Sequence, residues 1–395
     1  MKTSRRQLLK SGLLTLGGFA VSPHLSFSES WRAPATFSKE GNVLYSPFFE
    51  EYIHEAFPES KVVLKAKLNA NENPYGPSPM AVKAHQEGSL MGNRYAWKDL
   101  FKLIEKISDK EGVKAENVMM GPGSSDLLEK FGLVLFMNGG NIVSADPSYM
   151  SMIRVAESVG ASWKGVKLKD DWSHDLEGME KAIDDETKLV YVCNPNNPTG
   201  SITDGEALKE FCIRASKKAP VFIDEAYIEF LPEKEQMSMA SLVADGHNVI
   251  IARTFSKIHG MAGLRIGYVV ANESITEKIS KITRGGMGIS YPSVMAALAS
   301  MEDEKFQKES RAKNTAARKY VCTELKKRGY DYVPSVTSFV LFPIEMKGKL
   351  FLEKMTNQNV GVRSFKIYDQ DWCRVSMGTM EEMKLFINAL DTVLS

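Results

Sequence analysis

From about residue 77 to about residue 275, short apolar runs alternate with segments whose apolar positions recur at helical spacing. Val118-Met119-Met120, Asn141-Ile142-Val143, Leu189-Val190-Tyr191-Val192, Val221-Phe222-Ile223 and Val249-Ile250-Ile251-Ala252 are strand-length and bounded by Gly, Pro, Asn or Asp. Ser124 to Phe136 and Asp204 to Lys217 carry the helical period between them. Alternation of this kind predicts an α/β fold, a mainly parallel sheet with helices on both faces. In such sheets the ligand lies outside the carboxyl ends of the strands.

After about residue 276 the pattern changes. A long charged helical region, Glu302 to Gly329, precedes shorter strands at Ser338 to Phe342 and Cys373 to Ser376, then a final helix from Glu381. These predict a smaller α+β lobe. Upstream, Trp31 to Lys67 reads as an arm and short helix leading into Asn69-Ala70-Asn71-Glu72-Asn73-Pro74-Tyr75-Gly76-Pro77. That turn cluster suits neither a helix nor a central strand. The expected organisation is a signal over residues 1–28, an arm joining the small lobe over 29–75, a large domain over 76–275 and a small domain over 276–395.

Composition narrows the partner. Lys and Arg total 50 against 49 Asp and Glu, a net charge of +1, so nothing in the charge points to nucleic acid or an anionic membrane, and a small molecule is expected. Cys193, Cys212, Cys322 and Cys373 are widely spaced, without a CxxC pair or a Cys/His cluster, so they read as buried thiols and no metal site is expected. Arg5-Arg6 stands ahead of a modest apolar stretch, Leu13 to Val21, interrupted by Gly17 and Gly18. That stretch is too short and Gly-rich for a stable membrane anchor. It resembles a twin-arginine export signal, with Ser26-Phe27-Ser28 as a cleavage step and the periplasm as destination. A basic tail that happens to contain Arg-Arg is the competing reading.

Four strand-end loops carry candidate chemistry. Gly121-Pro122-Gly123-Ser124-Ser125 joins a strand to a helix, where glycines admit an anion close to unpaired helix amides. Asn194-Pro195-Asn196-Asn197-Pro198-Thr199-Gly200 is a rigid loop that can hold Asn197 at one angle. Asp224-Glu225-Ala226-Tyr227 follows a buried strand; such an Asp can equally cap a helix. Thr254-Phe255-Ser256-Lys257 follows the next strand, with Arg265 eight residues beyond the lysine. A lysine at a strand end, destabilised as an ammonium, becomes an amine that condenses with aldehydes. Each loop alone has a bland reading; together, in this order, they describe one site.

The strings Leu68 to Gly76, Asn194 to Gly200, Asp224 to Phe230, Arg253 to Lys257 and Ala262 to Arg265 resemble those of fold-type I pyridoxal 5′-phosphate (PLP) aminotransferases of class I/II, most closely the histidinol-phosphate aminotransferase group. The resemblance runs over about residues 68 to 380. It implies PLP held as a Schiff base on Lys257, with Asp224 at the pyridine nitrogen and Tyr227 and Asn197 at the phenolic oxygen. Ser124, Ser125, Thr254, Ser256 and Arg265 would hold the phosphate, and Tyr149 would stack on the ring. It also implies a homodimer in which Tyr95 reaches the neighbouring subunit's cofactor, with Arg374 on the substrate α-carboxylate and Arg363 and Tyr75 as further substrate contacts. The expected activity moves an amino group from an amino acid to a 2-oxo acid. A decarboxylase of the same fold and an exported binding protein are the alternatives.

The chain departs from the pattern. Where the family commonly has Ala-Phe-Gly or Ala-Tyr-Gly after Ser-Lys, it has Ile258-His259-Gly260, and Arg284-Gly285-Gly286-Met287-Gly288-Ile289-Ser290 lacks a family Asn. Tyr95-Ala96-Trp97 replaces a Tyr-Pro step. These departures bear on the substrate more than on the cofactor.

Overall fold

A computed structural model describes residues 63–394, together with the short antiparallel pairing of Thr36–Phe37 with Val43–Tyr45. The expected signal, and most of the expected arm, lie outside the described residues. Among the described residues no helix is long and apolar enough to cross a membrane.

The large sheet has seven strands: β1 (Val118–Gly121), β2 (Asn141–Asp146), β3 (Ser162–Lys167), β4 (Thr187–Cys193), β5 (Val221–Asp224), β6 (Val249–Thr254) and β7 (Gly267–Ala271), in the spatial order β1-β7-β6-β5-β4-β2-β3. From β3 through β6 every pairing is parallel; β7 runs antiparallel to both β6 and β1. Side chains alternate across a strand. Val190, Val192, Val221, Ile223, Val249 and Ile251 enter one buried cluster, while Leu189, Tyr191, Phe222, Ile250 and Ala252 enter another on the opposite face. The apolar runs are therefore continuous because helices cover both faces.

The second sheet is β8 (Phe339–Ile344), β9 (Arg363–Ile367) and β10 (Gln370–Ser376), antiparallel, with β10 in the middle. Its core includes Val340, Phe342, Cys373 and Val375, together with Phe351, Phe386, Leu390 and Val321 from helices. Ala66–Lys67 pairs in parallel with Val360–Gly361, and Ala66 and Leu68 enter this same core. The residues just after 275, which the change of pattern assigns to the second lobe, pack with the large sheet. Ile279 joins one of its clusters, and Ile289, Val294, Ala296 and Ala297 join the other. The long charged region forms the helix Glu304–Lys327, capped by Asp303, and a separate helix, Tyr291–Glu302, ends just before it. Cys193, Cys212 and Cys373 are buried thiols; Cys322 is only partly buried, contrary to expectation, because it lies beside Tyr332 and Arg318 at the margin of the small core.

Candidate active site

Register assembles the site. Cys193 pairs with Asp224 and Asp224 with Ala252, so β4, β5 and β6 end side by side. Gly267 pairs with both Thr254 and Gly121, which sets the Gly121–Ser125 turn next to the Thr254–Lys257 loop. The four loops thus lie along one edge of the sheet.

At that edge Gly123 has φ +95°, and a Cβ there would overlap the Arg265 guanidinium; a Cβ on Gly267 would approach the Ser124 amide. The absent side chains let the Arg265 guanidinium and the backbone of β7 come close to the N-terminus of the helix Ser124–Phe136. Arg265, itself left-handed at φ +50°, donates to Ser256 Oγ over 3.4 Å and to the Ala262 carbonyl over 2.8 Å. Thr254 Oγ1 accepts from the Ser256 amide at 3.1 Å, so its own hydroxyl proton stays available. Helix amides, hydroxyls and a guanidinium brought together by glycine are the donor set of a phosphate. The departing segment Gly285–Gly288 packs behind this cradle, with Gly286 close to Met120 and Leu100 and Gly288 near Pro122.

Asp224 is 3 % exposed. Its Oδ1 accepts from the Ala226 amide at 3.1 Å and its Oδ2 from the Tyr191 hydroxyl at 3.4 Å; burial raises its pKa to about 6. A buried carboxylate with only neutral donors favours a cationic partner. Lys257 Nζ donates to the Ala70 carbonyl at 3.4 Å and lies 5.6 Å from the Tyr227 ring centroid. Desolvation, reinforced by Arg374, lowers its pKa to about 8. The Tyr227 hydroxyl accepts from Asn71 Nδ2 at 2.9 Å, and burial raises its pKa, so it keeps its proton to donate. Asn197 Oδ1 accepts from Arg374 Nη1 at 2.5 Å, which leaves its amide group as donor. An acid for a ring nitrogen, two donors for a phenolic oxygen, an amine for an aldehyde and a phosphate cradle fit PLP.

Arg374 is 3 % exposed and also donates to the Asn69 carbonyl at 3.2 Å. Its Cζ lies 5.2 Å from the Phe339 ring centroid and 5.0 Å from that of Phe365. Arg363 is its cross-strand neighbour on β9, with Cζ 5.5 Å from the same Phe365 ring. Burial, then Arg374, lowers the Arg363 pKa to about 10. Tyr149 is half-buried on the loop after β2, and Asn196 Nδ2 ties that loop to its own by donating to the Pro147 carbonyl at 3.1 Å. Ser125 is half-buried in the first turn of the cradle helix. Tyr75 turns toward the long helix, where Lys313 Nζ stands 4.5 Å from its ring centroid. Tyr95 is 75 % exposed, its ring tilted against Trp97 at 5.8 Å.

Two contributors escaped the sequence reading. Tyr191 sits in mid-strand, where an aromatic signals only core. Asn71, at φ +53°, also accepts from the Ser376 hydroxyl at 2.8 Å and so joins the loop before the large domain to β10 and to Tyr227. Tolerance of left-handed backbone is the one signal that could have singled out Asn71 among its neighbours.

The family described as Aminotransferase class I and II matches residues 64–390. The chain is 36% identical over 332 residues to a histidinol-phosphate aminotransferase of Moorella thermoacetica, covering 83% of this chain and 85% of that one. It is 34% identical over 339 residues to histidinol-phosphate aminotransferase 1 of Dechloromonas aromatica, covering 85% and 91%. The crystal structure of histidinol-phosphate aminotransferase from Sinorhizobium meliloti in complex with pyridoxal-5′-phosphate superposes with a TM-score of 0.77 at 26% identity, over 89% of this chain and 95% of that one. With a family match across nearly all the described residues, the chain belongs to the class I and II aminotransferases and is a PLP-dependent transaminase.

Proposed function

We propose that Lys257 both anchors the cofactor and carries the proton in moving an amino group from an amino acid to a 2-oxo acid. The observation that carries this reading is the Lys257 amine, desolvated beside Arg374 and Tyr227 at the strand ends that also present Asp224. Bound PLP supplies an electron sink for the electrons left on the substrate Cα. Asp224 keeps the ring nitrogen protonated, while Tyr227 and Asn197 donate to the phenolic oxygen. Ser124, Ser125, Thr254, Ser256 and Arg265 hold the phosphate, and Tyr149 stacks on the ring. Arg374 grips the substrate α-carboxylate through its two Nη groups. Arg363 takes the distal end of the substrate, with Tyr75 as a further contact. With the cofactor bound, the Lys257 amine would take the proton from the substrate Cα as base and return a proton as acid.

The test is a panel of amino acids, with histidinol phosphate among them, incubated with 2-oxoglutarate while glutamate is measured. One or more donors should give glutamate with multiple turnovers; glutamate from none of them, in protein loaded with PLP, contradicts the reading. Two finer inferences accompany it. Two chains share their sites, Tyr95 of each reaching the other's phosphate, which its exposure supports. Export through Arg5 and Arg6 is supported by the apolar stretch behind them. Replacing both by Lys should leave active enzyme in the cytoplasm on fractionation; equal export of wild type and variant contradicts it.

A further inference from the structure

His259, where the family commonly has Phe or Tyr, is 2 % exposed and makes contacts that no phenyl ring makes. Its Nδ1 lies 2.7 Å from Ser300 Oγ, on the helix Tyr291–Glu302, and its Nε2 3.4 Å from Glu229 Oε1. Glu229 is held from other sides as well. Lys110 Nζ stands 3.4 Å from the same Oε1, and Arg311, on the long helix of the second lobe, donates to the Glu229 carbonyl at 2.8 Å. Burial alone would push the Glu229 carboxyl up, but His259 and Lys110 beside it hold it well below the usual carboxylate range.

The two ends of this contact have matching places in the chain. His259 follows Lys257 by two residues in a turn closed by the Gly260 amide on the Lys257 carbonyl at 2.9 Å. Glu229 follows Tyr227 by two residues in a turn closed by the Phe230 amide on the Tyr227 carbonyl at 3.1 Å. The Lys257 turn is also pinned at Ile258, whose carbonyl accepts from Asn73 Nδ2 at 2.9 Å, and at Gly260, where a Cβ would overlap the Gly76 carbonyl. Beside the packing of Ile258 against Tyr227 and Phe230, His259 gives this turn a side-chain hydrogen bond to the Tyr227 turn. We propose that His259 is a positioning residue: the His259–Glu229 clasp sets the Lys257 turn against the Tyr227 turn, and so fixes the approach of the Lys257 amine. Reaction rates are sensitive to misplacement of this kind, about 10²-fold for about 1 Å.

The inference rests on the reading of Lys257 as the cofactor's anchor. Borohydride fixation on wild-type Lys257 decides that reading by itself, whatever the variants do. For the clasp, His259→Phe keeps a ring against Phe255, whose centroid is 4.8 Å away, and removes both nitrogens. In the holoenzyme this variant should unfold thermally within a few degrees of wild type, while kcat falls about tenfold and KM for the amino donor stays nearly constant. The pH midpoint of the bound cofactor's visible absorbance should move as well, by about half a pH unit. His259→Gln, which can still reach Glu229, should recover most of both changes. Should His259→Phe fail to fold, Ser300→Ala removes the other hydrogen bond and should produce smaller changes in the same sense. Wild-type kcat and an unmoved absorbance midpoint in His259→Phe, or in Ser300→Ala if that variant must stand in, overturn the proposal.

Discussion

Asp224 is a carboxylate held at some cost to the fold. Its folded pKa, about 6, lies above its ordinary 3.8 because it is desolvated against an amide and a hydroxyl. An acid with a raised folded pKa binds its proton more tightly in the folded chain, so the cost is absent below about pH 4, grows between pH 4 and pH 6 and is complete above that. Its size is on the order of 3 kcal/mol at most. Cofactor-free Asp224→Asn should therefore melt above cofactor-free wild type at pH 7.5, with the gap closing toward pH 4. Activity should nevertheless fall by about 100-fold or more, because a neutral amide does not stabilise a protonated ring nitrogen. Thermal unfolding across pH, beside glutamate formation, checks both; a gap that does not change with pH contradicts a desolvated charge at this position.

The strand-end turns depend on backbone that only small residues allow. Gly123, at φ +95° and against the Arg265 guanidinium, is the tightest of these in the cradle. Gly123→Ala should weaken PLP retention by about tenfold or more through strain and displacement of Arg265, as measured by cofactor loss on dialysis, while secondary structure is kept. Retention equal to wild type would show that the phosphate lies elsewhere. Seven strands, five of the large sheet and two of the small, and the order of the four loops were legible because apolar runs stand between turn residues. β3 was not, since Ser162–Lys167 is an edge strand with half its residues polar and partly exposed. β7 was masked by the glycine and arginine loop that leads into it, and β9 by its two charged residues, Arg363 and Lys366. Lys257, Asp224, Asn197 and Arg265 could be read as motif residues. Asn71 and Tyr191 act through contacts 156 and 33 residues away, which local pattern does not encode.

In the whole molecule, one sheet edge carries the four loops, and the second lobe brings Arg374 of β10 onto Asn197, with Arg363 of β9 as its cross-strand neighbour. The loop at Asn71 bolts the two together, with Asn71 bonded to both Tyr227 and Ser376. The proposal that two chains share their sites makes a prediction about mixtures of chains. Inactive Lys257→Ala chains mixed with impaired Tyr95→Phe chains should regain activity, because one site in each heterodimer then carries both native residues. Activity of the mixture equal to the sum of its parts, together with a monomeric mass in solution, contradicts sharing.

The most direct measurement concerns Lys257 itself. Borohydride treatment of the purified holoenzyme, followed by proteolysis and mass spectrometry, should find the reduced cofactor on the peptide that contains Lys257, and Lys257→Ala should bind PLP without label or multiple turnover. Label on another lysine, or undiminished turnover by Lys257→Ala, would contradict the assignment on which the mechanism stands.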